Sequence, residues 1–179
     1  MLKASFTTTA AALAAVLALG GCTSAGMAGG QPQMATASAP MEYVRMAGAS
    51  DLYEIRSSAL VLETTQDPAL RRFARMMVDH HTHTTRQVTE AARTAGLTPP
   101  PPALDPRKAE MIARLQSATS AARDELYLSQ QMTVHDQALA LHSGYARSGE
   151  EPALRAAAAG AVPVIEQHIA ELQRLDDAR

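Results

Sequence analysis

Six histidines and a limited set of carboxylates carry most of the chemical potential of this 179-residue chain. Glu54, His81, Asp124, His135 and His168 stand out, because helical spacing puts each on or beside the inward stripe of its segment and the set spans four segments. Imidazoles and carboxylates projecting inward from facing helices are how helical bundles build metal sites. With carboxylate, imidazole suits zinc or iron; with thioether it suits copper, and Met76, Met77, Met111 and Met132 lie near histidines in sequence. The cofactor to look for is therefore a transition metal ion: copper, zinc or iron. For any single methionine, though, filling an irregular core is the expected role. A di-iron carboxylate centre is disfavoured, since it needs Glu three residues before His on two helices and no Glu here stands three residues before any His.

The same residues also make sense without an ion. His135 bonded to Asp124 or Tyr127, and His81 or His168 bonded across to Glu54, would form a closed network that fixes which helix faces which. Residue types lean slightly toward that network and leave both readings open. His83 and Asp79, at i and i+4, read as a solvated surface pair. No serine sits in a Gly-x-Ser-x-Gly turn and no phosphate-binding loop is present, so hydrolase and nucleotide-binding chemistry have no support.

The elements that must position these groups are helices. No alternating apolar run of period two occurs, whereas Asp67-Pro68 and Asp105-Pro106 each offer an N-cap carboxylate followed by proline at the first helical position. Glu151-Pro152 is a weaker version, and Gly96 and Gly149 fall where helices should stop. The expectation is an all-α, up-down four-helix bundle with long helices over Met41 to Thr65, Pro68 to Ala95, Ala121 to Ser148 and Pro152 to Leu175. A short extra helix, Pro106 to Gln116, follows the extended run Pro99 to Pro102 between the second and third long helices.

At about 100° per residue, Asp124, Leu128, Gln131, His135, Leu139 and His142 share one unusually polar face, with Tyr127 beside it. In the second helix His81 lies about 40° to one side of the apolar stripe and His80 about 60° to the other. The first helix buries Val44, Ala47, Asp51, Ile55, Ser58 and Leu62, with Glu54 at the edge; the fourth buries Ala158, Val162, Ile165, Ile169 and Leu172, with His168 on the flank.

The N-terminus gives an address. Lys3, the apolar run Ala10 to Leu19 and then Leu19-Gly20-Gly21-Cys22 read as a lipoprotein signal peptide over residues 1–21, too short to span a bilayer as a mature helix. Cys22, the only cysteine, is the expected lipidation site, and a chain with one thiol has no internal disulfide. Thr23 and Ser24 rather than Asp follow it, which favours the outer membrane, with the protein facing the periplasm. Residues 22–40, rich in Ser, Thr, Ala, Gly and Pro, read as a disordered tether, and residues 41–177 as the helical domain. The expected partner is thus the membrane, through the lipid; the sequence names no protein partner. A net charge of −2, scarce aromatics and no basic patch argue against nucleic acid.

The segments Ser50-Asp51-Leu52-Tyr53-Glu54-Ile55, Phe73 through His81, Asp124-Glu125-Leu126-Tyr127 with His135, and Val162 through His168 resemble the envelope-protein family known as domain of unknown function 4142. The resemblance covers about residues 41 to 177 and implies a ferritin-like four-helix fold and an exported or outer-membrane protein. Recurrent polar positions of that family match Glu54, Asp124, Tyr127, His135 and His168. An Asp-His pair in its pattern falls on His80 and His81, so histidine replaces the aspartate. No activity comes with the resemblance. Two function classes follow: a cell-envelope binding or structural module with a His/carboxylate interior, or a ferritin-like oxidoreductase or copper-binding protein using Glu54, His81, His135 and His168.

Overall fold

The computed structural model describes residues 39–179, so the expected signal peptide, Cys22 and nearly all of the tether lie outside the described residues. Among the described residues there are five helices and no strand: α1 (Pro40–Thr64), α2 (Pro68–Thr94), α3 (Pro106–Ser117), α4 (Ser120–Ser148) and α5 (Pro152–Asp177). None is long and apolar enough to cross a membrane.

The punctuation expected from sequence has a visible mechanism. Asp67 accepts from the Ala69 and Leu70 amides at 2.8 and 3.2 Å, and Asp105 accepts from the Lys108 amide at 2.9 Å. Each carboxylate thereby satisfies amides that the first turn leaves free. Glu151 makes no such bond. At the far end of α2, Gly96 adopts φ 74°, and the Leu97 and Gly96 amides donate to the Ala92 and Arg93 carbonyls. That is a Schellman stop, in which only a residue without Cβ sits comfortably. Gly149 ends α4 differently: its backbone is extended, and the Tyr145 ring occupies the space a Cβ would need.

Short turns make antiparallel hairpins of α1 with α2 and of α4 with α5. They dock so that α1 packs on α4 and α2 on α5. Contacts between α1 and α4 run in opposite senses along the two helices, from Tyr43 with His142 to Thr65 with Asp124. Ser120, at the start of α4, donates to the carbonyl of Thr64 at the end of α1. The connection after α2, prolines included, therefore runs back along the helices, and α2 and α4 point the same way. Pro102 lies against Gly48 of α1. Arg123 knits this end, donating to carbonyls of Leu60, Leu115, Gln116 and Ala118.

Apolar side chains gather in two main clusters. One, around Phe73, Met77, Leu115, Tyr127 and Leu172, fills the end where α1 meets α2; the other, around Tyr43, Val88, Tyr145 and Leu154, fills the opposite end. Between them a small apolar group, Ala138, Ala161 and Ile165, adjoins an otherwise polar interior. Two helix faces are centred differently from the sequence reading: Glu54 is fully buried rather than at the edge, and so is His168, whereas Ile55, Leu62, Val162 and Ile169 are half-buried. Small residues cause this offset. Ala47, Ser50, Ser57 and Ser58 line the centre of α1 and let neighbours approach, but they add little to a hydrophobic pattern.

Replacing the N-cap carboxylate by Asp67→Ala is expected to cost about 1 kcal/mol. A thermal melt should register this as a fall of about 4 °C.

A three-histidine cluster as the candidate metal centre

The polar interior is a ladder of pairs that cross between helices. Tyr127 and Ser58 hydroxyls meet at 2.8 Å, Tyr53 donates to Gln130 at 2.7 Å, and Gln131 donates to Ser57 at 2.9 Å. Gln130 also donates to the Met111 carbonyl, tying in α3. At the opposite end Tyr43 and His142 Nδ1 pair at 3.0 Å.

The imidazoles converge between these rungs. One ring nitrogen each from His81 on α2, His135 on α4 and His168 on α5 lies within 4.8 Å of the other two, and among the described residues no other such group of His, Cys, Asp or Glu side chains occurs. Glu54, His135 and His168 have no exposed surface and His81 has 4%. The rings pack at centroid distances of 5.3 to 5.7 Å.

What surrounds each ring decides which nitrogen is free. His81 Nδ1 lies 2.9 Å from the Asp51 carboxylate, which also accepts from Thr85 Oγ1 at 2.9 Å. His135 Nδ1 lies 2.9 Å from the Gln131 carbonyl, an acceptor only, so Nδ1 must carry the proton and Nε2 presents a lone pair. That Nε2 faces His168 Nδ1 at 3.2 Å. The second nitrogen of His168, Nε2, faces His80 Nδ1 at 2.8 Å. Five buried side-chain atoms among the described residues have no hydrogen-bond partner: His81 Nε2 and both Glu54 oxygens at this level, Gln131 Oε1 one turn away, and Asp124 Oδ1 near the start of α4. Glu54 Oε1 is 3.8 Å from His135 Nδ1, beside the three-nitrogen group and outside it.

Burial dominates the electrostatics. It pushes the Glu54 carboxyl up to about 7 against the pull of His81, and pushes His135 down to about 3 and His142 down to about 4. His168 is lowered by burial and by its neighbours His81, His135 and His80. For His81 burial works in the same direction, but the hydrogen bond to Asp51 and the negative field of Glu54 and Asp51 outweigh it, so this imidazole is raised.

The geometry thus brings together His81, His135 and His168 with Glu54 alongside. Asp124 is not among them: it accepts from Thr65 Oγ1 at 2.8 Å near the start of α4, roughly 16 Å along the helix from His135 at 1.5 Å per residue. Nor does His135 bond Asp124 or Tyr127, or His81 or His168 bond Glu54, as the network expectation had it. Their partners are Gln131, Asp51 and His80, supplied by neighbours a single turn away or by a facing helix. The methionines turn to packing: Met77 is part of the apolar core, with Met76, Met111 and Met132 against it. His83 is exposed and accepts from Arg86 rather than pairing with Asp79. Asp51 and His80 were the partners hardest to single out from spacing. Asp51 reads as one more member of a buried stripe, and the signal for His80 was its place in an Asp-His position.

Acid should destabilise the metal-free fold. His135, His142 and His168 bind protons more tightly unfolded, near 6.5, than folded, so stability is lost as pH falls below 6.5. Glu54 works oppositely between about 4.5 and 7, where the folded carboxyl holds the extra proton, but it is one group against three. His81, raised on folding, contributes stability that is full below 6.5 and lost as pH rises through its folded value. Melting curves of chelator-treated protein should therefore peak near neutrality, with the melting point at pH 5 lower by several degrees.

Comparison with known proteins gives one family. The family model described as "Domain of unknown function (DUF4142)" matches residues 25–175. No curated protein and no solved structure matches the chain. The matched span includes α1, α2 and α4 whole and α5 up to residue 175, and so every residue of the cluster. With most of its length inside that span, the chain belongs to the DUF4142 family.

Proposed function

We propose that this protein is a lipid-anchored, ferritin-like four-helix module of the cell envelope that holds one transition metal ion on His81, His135 and His168. The observation that carries this reading is the convergence of three imidazole nitrogens, from three helices, in a site closed to solvent. Two nitrogens at 2.0–2.1 Å from one tetrahedral ion stand roughly 3.3 Å apart, and His135 Nε2 and His168 Nδ1 are 3.2 Å apart. The outer nitrogens of His81 and His135 are held by Asp51 and by the Gln131 carbonyl, the arrangement that orients metal-binding imidazoles.

Charge supports it as well. A divalent ion on three neutral imidazoles keeps its full charge, and a buried charge needs compensation. Glu54 and Asp51 supply two carboxylates. A purely structural network, by contrast, leaves both Glu54 oxygens and His81 Nε2 without partners, each a cost of about 1–3 kcal/mol. Nitrogen and carboxylate donors without thioether favour zinc, iron or copper(II) over copper(I). The parallel course of α2 and α4, with one long connection between hairpins, supports the ferritin-like topology.

The test is the metal content of the full chain, extracted in mild detergent without chelator or affinity tag. One equivalent of ion is expected, lost in both His135→Ala and His168→Ala. A wild-type protein that neither contains nor takes up copper, zinc or iron would reduce the cluster to architecture. The anchor is tested separately: Cys22→Ser should move the protein from the membrane fraction to the soluble one, and continued membrane association would count against lipidation.

A further inference from the structure

Resting on the metal reading, the geometry points to the route by which the ion reaches a sealed site: through the cleft between α2 and α5, with His80 as the first landing point and the buried His168 directly behind it. Asp51, Glu54, His81, His135 and His168 are each at most 4% exposed. His80 alone of the histidines touching the cluster is half-buried. It lines a cleft of about 400 Å³ whose α2 wall includes Asp79, His83 and Gln87 and whose α5 wall includes Gly160 and Ala161.

His168 connects the cleft to the centre. Its Nε2 faces His80 Nδ1 across 2.8 Å, and its Nδ1 faces His135 Nε2 across 3.2 Å, so one ring belongs to an outer pair and to the inner group. The rings of His80 and His168 lie nearly parallel, 23° apart, with centroids 5.1 Å from each other. Spreading the outer pair by a fraction of an ångström gives an ion two imidazole nitrogens, one lining the cleft and one behind it, and turning the His168 ring carries it inward. Asp79, exposed at the rim, adds a carboxylate where an arriving cation first meets the protein; Arg86 lines the same cleft and donates to His83 Nδ1, so His83 offers only its Nε2. The cleft is open because α5 is bare there: a Cβ at Gly160 would meet nothing within 4 Å.

The test separates rate from affinity. Metal-free full chain is mixed with copper(II), and with zinc(II) carried by a chromophoric indicator, and both uptake and equilibrium binding are followed. Gly160→Phe and Gln87→Trp fill the cleft from opposite walls at exposed positions, and Gly160→Ala is the control. Uptake and release should both slow at least tenfold in the two filled variants, with affinity within about twofold of wild type and the control unchanged. His80→Ala should also load more slowly, although it widens the opening. Filled variants that load at the wild-type rate would overturn the route, and His80→Ala loading as fast as wild type would overturn the landing role. A wild-type chain that binds neither ion at equilibrium would remove the metal reading itself, a result that no rate comparison can mimic.

Discussion

A polar group facing the axis of a helical bundle must find its partner on another element or remain unsatisfied, and here that requirement sets how the two hairpins meet. Along α1 the inward positions are taken by Tyr43, Asp51, Tyr53, Glu54, Ser57 and Ser58, where a bundle of this size normally places aliphatic side chains. Sliding α1 along α4 by one turn would separate Tyr53 from Gln130, Ser57 from Gln131 and Ser58 from Tyr127 together. Apolar packing alone tolerates such slips at modest cost; several simultaneous buried losses do not. The ladder thus supplies register, and the apolar clusters at either end supply the driving force.

The histidine layer uses that register and is its least satisfied part. Elsewhere among the described residues two buried oxygens, Gln131 Oε1 and Asp124 Oδ1, are left unpaired. At the histidines, fixed outer partners turn the inner nitrogens toward one another, and a carboxylate with no partner stands beside them. The inner nitrogens of His135 and His168 pair with each other, while His81 Nε2 and the Glu54 carboxylate stay oriented without a partner, at a cost that a network serving packing alone would avoid by closing every bond.

Helix limits were legible in the sequence to within about two residues, because Asp-Pro and Gly punctuation acts locally and the Asp67, Asp105 and Gly96 interactions are made within one turn of their own helices. The convergence of His81, His135 and His168 was legible as a shared inward direction. What spacing could not give was height along the bundle. Asp124 and His135 share a face and yet occupy different levels, and only the docking of α1 against α4 decides that Asp124 meets Thr65. Nor could it give the centre of a stripe built from Ala and Ser, which is why Glu54 and His168 lie deeper than their apolar neighbours suggested. His80 was read as lying off the stripe, and its pairing depends on a helix 88 residues further on.

The division of the cluster between two hairpins has its own thermodynamic meaning. Asp51, Glu54, His80 and His81 belong to the first hairpin and Gln131, His135 and His168 to the second. Bonds inside a hairpin join residues about 30 apart in sequence, Asp51 with His81 and His135 with His168, whereas the bond from His80 to His168 spans 88. Each hairpin therefore carries only part of the set of donors. A ligand held by all three histidines would bind only the docked pair, and its binding free energy would stabilise the seam between the hairpins. Occupancy and closure of the bundle would then be one equilibrium seen from two sides.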